Sequence, residues 1–172
     1  MKTYKFYDTS SLLLKVDTLF ENPEDSVVIS SISLNELEHI KTASNKDPDI
    51  KFAARKLLHN LDENMDKYIV HIFGNHMTKP IEDKNIAVND DARILACAVD
   101  FYCSTKPEDE MCFITNDLAL KHLAKLFFKE VCSVDEERQD EYEGYLDISM
   151  NDLEMSYFYE HQDENVYNLL IN

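Results

Sequence analysis

Two rhythms of apolar and polar positions alternate along the first 134 residues. Residues 3–8 (TYKFYD) alternate and carry aromatics, the period of a strand with one buried face. Residues 10–21 (SSLLLKVDTLFE) then place Leu12, Leu13, Val16, Leu19 and Phe20 near helical spacing, with Thr9 or Ser10 as a cap. After the break at NPED, SVVIS (26–30) is short and β-branched, as a buried parallel strand is. SLNELEHIKTA (33–43) sets Leu34, Leu37 and Ile40 on one face, with Ser33 as its cap. Residues 47–68 form a longer amphipathic helix, with Pro48 near its start and a stripe running from Ile50 through Ala54 and Leu57 to Leu61. YIVHIF (68–73) is a third strand, and residues 74–88 read as a loop. A helix over 89–104, a strand over 111–115, a helix over 116–127 and a strand over 130–134 complete the series. Strands that alternate with helices in this way predict an α/β fold, a three-layer sandwich around a central parallel sheet.

Composition narrows the picture in three respects. No apolar run approaches the ~20 residues that span a bilayer, and the start MKTYKFYDT has no apolar leader core, so the expectation is a cytoplasmic protein without a membrane partner. Cys97, Cys103, Cys112 and Cys132 show no CxxC spacing and read as reduced core residues. The formal charge is −17, the reverse of a protein that holds nucleic acid by charge alone. Such a chain repels phosphates unless a basic strip, a cation or a partner offsets its acids. Lys41, Arg55, Lys56, Arg93 and Lys121 are the candidates for such contacts, each equally explained as a solvated helix charge.

The acids become informative once placed on the predicted elements. Asp8 closes the first strand, Glu36 lies early in the helix after the second, Asp91 opens the helix before the fourth, and Asp117 follows the fourth strand directly. Each has an ordinary reading as a cap, a turn acid or a solvated helix residue. All four nevertheless fall at the end of a doubly wound sheet where ligands collect. Like charges ~4 Å apart repel by about 1 kcal/mol in water and about 4 kcal/mol at an effective dielectric of 20, so such a group either protonates in part or binds divalent cations. Oxygen-only ligation suits Mg²⁺ or Mn²⁺ rather than zinc, and His71 and His76 have no cysteine partners that would favour zinc. A dehalogenase-type phosphatase requires D-x-D after the first strand; Thr9 and Ser10 follow Asp8 instead.

YDTSSLL, SLNELEHIK, NDDARILACA and FITNDLALK, in that order, resemble the PIN-domain ribonucleases over residues 3–134. DIKFAARKLLHNLDE and YEGYLDISMNDLEMSYFYE are similar to segments of the PIN domains that precede PhoH-like ATPases. The resemblance implies a parallel sheet in the order 3-2-1-4-5. It also implies a catalytic, metal-binding set of Asp8, Glu36, Asp91 and Asp117. Thr9, Ser10, Thr115 and Asn116 are then candidates for orienting those carboxylates, and Asp90 is an alternative to Asp91. The expected activity is Mg²⁺- or Mn²⁺-dependent endonucleolytic hydrolysis of single-stranded RNA. The alternative is a non-cleaving PIN module that binds RNA or a protein and regulates an associated PhoH-like ATPase. No GxxxxGK[ST] loop occurs, so the chain carries no such ATPase itself. The expected organisation is a nuclease domain over residues 1–148 and a C-terminal extension or linker over 149–172, leading toward a further domain, with oligomerisation left open. In that extension YEGYLDIS reads as a hairpin or edge strand, NDLEMSYFYE as a short helix and NVYNLLIN as strand-like.

Overall fold

A computed structural model describes residues 2–136. The readings of YEGYLDIS, NDLEMSYFYE and NVYNLLIN therefore lie outside the described residues. The elements run β1 (Thr3–Tyr7), α1 (Thr9–Leu14), β2 (Ser26–Ser30), α2 (Ser31–Thr42), α3 (Pro48–Glu63), β3 (Tyr68–His71), α4 (Lys79–Glu82), α5 (Asp90–Ser104), β4 (Glu110–Ile114), α6 (Leu118–Ala124) and β5 (Glu130–Cys132). All five strands pair in parallel, in the order β3-β2-β1-β4-β5, which is the order the resemblance implies.

Strand periodicity builds the three layers. Phe6, Val28, Met111 and Phe113 point to one face, where they pack with Ile94, Leu95 and Ala98 of α5 and Leu120 of α6. The alternate residues Tyr7, Val27, Ile29, Cys112 and Ile114 point to the other face, against Leu12 of α1, Leu37 of α2 and Leu57 of α3. Phe113 is fully buried and stacks between Phe6 and Phe128, with ring centroids 5.9 and 5.7 Å away. Phe113→Ala is expected to cost about 3–5 kcal/mol in denaturant unfolding, and Phe113→Leu clearly less, because it leaves a smaller cavity.

Several sequence expectations are corrected. The first helix ends at Leu14, and Lys15–Phe20 continue as turns closed by the Thr18 and Glu21 amides on the carbonyls of Lys15 and Thr18. Neither Thr9 nor Ser10 caps α1; Asp8 does. Ser30, not Ser33, caps α2, its hydroxyl accepting from the Ser33 amide. The loop expected over 74–88 contains a 3₁₀ turn (Asn75–Thr78) and α4, which bury Met77 and Ile81. Cys97 and Cys112 are core residues, but Cys132 is only half-buried and Cys103 is exposed. Among the described residues no helix is long and apolar enough to cross a membrane.

Candidate functional site

The chain leaves β1 toward β2 and β3 on one side of the sheet, and leaves β4 toward β5 on the other. Neighbouring β1 and β4 thus form the switch point of the topology, where a crevice opens beyond their carboxyl ends. The helices that follow these strands diverge to opposite faces: Leu12 of α1 joins one core cluster and Leu120 of α6 the other. A cavity of about 680 Å³ lies here, and Asp8, Glu36, Asp90, Asp91 and Asp117 all line it.

Each acid arrives by a local rule of chain folding. Asp8 is the N-cap of α1 and Asp117 the N-cap of α6, their Oδ1 atoms accepting from the amides of Ser11 (2.7 Å) and Leu120 (2.8 Å). Asn89 caps α5, which places Asp90 and Asp91 in its first turn. Glu36 projects from the middle of α2. Three helix N-termini thus bring their partial positive charge to the same crevice, offsetting part of the cost of gathering carboxylates. The cap reading and the site reading of Asp8 and Asp117 are compatible, since an N-cap bond occupies one carboxylate oxygen and leaves further lone pairs open.

Asp8 is the most enclosed of the group, at 4% exposure. Beyond the Ser11 amide, its carboxylate accepts from the Ser10 hydroxyl (3.1 and 3.0 Å to its two oxygens) and from the buried Thr115 hydroxyl (2.6 Å to Oδ2). Thr115 Oγ1 also accepts from the Asp117 amide at 3.1 Å, so one hydroxyl fixes two of the acids. Thr9 donates its hydroxyl to Glu36 Oε2, linking α1 to α2. Asp90 is paired with Arg93 at 2.9 Å. Asp91 has no hydrogen-bond or ion-pair partner among the described residues. Asn116 Oδ1 accepts from the Val134 amide at 2.8 Å and anchors the segment after β5.

The electrostatics follow from this crowding. Burial, then the charges of Asp117, Asp8 and Asp90, raise the Asp91 carboxyl above its ordinary range. Burial does the same for Glu36, the Thr9 hydroxyl opposing it and Asp90, Asp91 and Asp8 adding to it. Among the described residues, no three His, Cys, Asp or Glu side chains already stand close enough to enclose an ion. The donor set nonetheless fits a hard divalent cation. It is all carboxylate, it is mutually repulsive, and it contains one acid, Asp91, that no internal donor satisfies. Magnesium-like ions retain several waters and take only one or two carboxylates directly, so a roomy cavity of this kind suits them better than a closed cage would.

Two residues on the cavity wall had no signal in the sequence. His39 stands one turn beyond Glu36 on α2, and Lys46 lies in the loop between α2 and α3. Of the five cations nominated from sequence, only Arg93 lines the cavity. Lys41, Lys56 and Lys121 are tied to Glu38, Asp17 and Glu136, and Arg55 donates to the Lys41 carbonyl.

The PIN domain family profile matches residues 6–131, a span that includes all of these acids. No curated protein matches the chain. Among solved structures, a domain of a functionally unknown protein from Methanocaldococcus jannaschii DSM 2661 is similar at 16% identity with a TM-score of 0.53, over 88% of this chain and 100% of that one. VapBC2 from Rickettsia felis, bound to a DNA fragment from its promoter, is similar at 16% identity and a TM-score of 0.45, over 75% and 96% of the two chains. VapBC-1 from nontypeable Haemophilus influenzae follows at 14% identity and a TM-score of 0.42, over 77% and 98%. At these identities the likeness to solved structures is one of fold, whereas the family profile covers most of the chain: it belongs to the PIN domain family.

Proposed function

We propose that this protein is a metal-dependent endoribonuclease that hydrolyses phosphodiesters of single-stranded RNA, with Asp8, Glu36, Asp91 and Asp117 as its catalytic, metal-binding acids. The observation that carries this reading is the convergence of these acids on one cavity at the β1–β4 switch point, with no hydrogen bond or ion pair on the Asp91 carboxylate among the described residues. A divalent ion held there supplies charge neutralisation and activation of water, for which Mg²⁺ and Mn²⁺ are the fitting choices.

Within the reaction, Asp8 is a fixed ligand, its position set by Ser10, Ser11 and Thr115. Asp117 takes its orientation from its cap bond and from Thr115. Asp91 and Glu36, the two acids whose carboxyls burial and neighbouring charges raise in the metal-free protein, complete the set that would hold the ion. Water oxygen bonds to phosphorus as its proton passes to solvent, the P–O3′ bond breaks, and the departing O3′ takes up a proton from solvent, giving a 5′-phosphate and a 3′-hydroxyl. The cavity sits between diverging helices, which favours an unpaired strand whose phosphate can dip inward over a stiff duplex.

The finer assignment is a PIN domain of the kind that precedes PhoH-like ATPases, acting in the cytoplasm. It is supported by the resemblance of DIKFAARKLLHNLDE, which lies within α3 and packs on α1 and α2. The division at residue 148 and the extension over 149–172 are part of the same proposal.

The test is cleavage of a mixed-sequence single-stranded RNA with Mg²⁺, Mn²⁺ or EDTA, using Asp8→Asn as the control. Asn is an equally good N-cap, so this variant keeps its fold. Metal-dependent products with 3′-hydroxyl ends, absent with EDTA and reduced at least about a hundredfold in Asp8→Asn, are expected. Equal activity of Asp8→Asn, or no cleavage with either metal, refutes the assignment.

A further inference from the structure

We propose that the α2 wall of the cavity is a nucleotide subsite beside the scissile phosphate, in which the His39 ring stacks a base and Lys46 contacts the neighbouring phosphate. The choice of single-stranded RNA as the occupant rests on the nuclease reading above. The placement of the subsite rests on α2 itself. Ile32, Glu36, His39 and Ile40 stand at spacings of four, seven and eight residues, and therefore on one face of α2, the face that lines the cavity. A strand whose phosphate meets the Glu36 carboxylate thus meets His39 one turn further along. Ile32, Ile40 and Leu13 make this side of the cavity apolar, unlike the acidic floor. Exposed imidazole beside aliphatic side chains offers a face to an unpaired base, and stacking on that face does not depend on the base's identity.

Lys46 is singled out by the ion pairs of its neighbours. In a chain of net charge −17, other lysines are already paired within the protein, as Lys41, Lys56 and Lys121 are. Arg93, the other cation on the cavity, is held by Asp90. Lys46 alone among the cavity's lysine and arginine residues has no ion pair among the described residues, and it lines the same cavity as His39, in the loop that follows α2. A phosphate can therefore take its charge without breaking an existing pair.

The two contacts have different signatures in binding. In the full chain carrying Asp8→Asn, affinity is read by the anisotropy of a short fluorescein-labelled single-stranded RNA over a series of salt concentrations. Lys46→Ala is expected to lower the slope of log Kd against log salt by about 0.7, the value for one phosphate contact on a single strand, which corresponds to about fivefold weaker binding at 0.1 M salt. His39→Ala is expected to weaken binding about fivefold or more with the slope unchanged, and His39→Phe to restore it, because Phe keeps a stacking face and carries no charge. Lys106→Ala, in the turn before β4 at the opposite end of the sheet, is the control and leaves both quantities as they were. In the cleaving protein, Lys46→Ala raises KM in the same proportion and changes kcat less. Unchanged affinity and slope in Lys46→Ala, or His39→Phe binding no better than His39→Ala, overturns the subsite. If the binding pattern appears while the wild type never cleaves, the subsite stands and the nuclease reading falls. Cleavage with unaltered binding gives the reverse.

Discussion

Asp91→Asn is expected to abolish cleavage, by at least about a hundredfold, while making the metal-free protein more stable near neutral pH. The two effects have one cause. In the folded chain the Asp91 carboxyl lies above its ordinary value of 3.8, through burial and then the charges of Asp117, Asp8 and Asp90. Below that ordinary value the proton is bound in both the folded and unfolded states, and the group has no penalty. As pH rises through the raised folded value, the unfolded state releases the proton more readily, so stability is lost. Glu36 acts in the same direction from its ordinary value of 4.5. Asn at position 91 cannot ionise and escapes this loss. The gain is under about 1 kcal/mol because Asp91 stands at the cavity mouth, where solvent screens it. It should appear at pH 7 and vanish near pH 3. Added Mn²⁺ reverses the ranking. At a hundredfold excess over Kd it stabilises the wild type by about 2.7 kcal/mol, which is about 5–11 °C for a chain of this size, and the variant by much less. Thermal scans at two pH values, with and without Mn²⁺, check both signs. A wild type indifferent to millimolar Mn²⁺ would show that the cavity is not a cation site.

What the sequence made legible follows from the kinds of rule each feature obeys. Strands were readable because their side chains alternate between two buried clusters: Phe6 and Tyr7 differ by one position and face opposite cores. Asp8 and Asp117 were readable because each closes such a strand and caps the next helix, so local rules carry them to the crevice. The end of α1 was not readable. Val16, Leu19 and Phe20 keep helical spacing, yet turns with bonds three residues apart bury Val16 and Leu19 and half-bury Phe20. Periodicity records which side chains are buried, not which backbone bonds bury them. Asn116 carries a contact that its place beside Asp117 did not announce: its Oδ1 accepts from the Val134 amide, eighteen residues away. Lys46 and His39 left no trace at all, since an exposed lysine in a short polar loop looks like any other until the fold shows which lysines are already paired.

Thr115→Val is expected to reduce activity about ten- to a hundredfold without touching any proposed ligand, the range seen when groups that orient metal ligands are removed. Thr115 is fully buried at the end of β4, and its amide continues the sheet by donating to the Cys132 carbonyl at 3.0 Å. That backbone bond survives the substitution, and valine has nearly the same volume, so no cavity opens. What disappears is one hydroxyl with two duties: it donates to Asp8 Oδ2 and accepts from the Asp117 amide. Asp8 keeps its Ser11 and Ser10 bonds and its amide's bond to the Ile114 carbonyl, but its carboxylate loses the Thr115 hydroxyl, and the Asp117 amide loses its acceptor at the start of α6. The stability cost is about 1–3 kcal/mol, that of leaving a buried polar group without its partner. Thr115→Ser separates orientation from packing. It restores the hydroxyl and most of the activity, while loss of the methyl costs about 1 kcal/mol. Denaturant unfolding together with single-turnover cleavage of RNA reads both quantities for the two variants. The expected result is an activity order of Thr, then Ser, then Val. If valine cleaves as fast as threonine, the hydroxyl serves only the fold, and the position of Asp8 is set by its cap bond in α1 and by its amide, which donates to the Ile114 carbonyl of β4 at 3.1 Å.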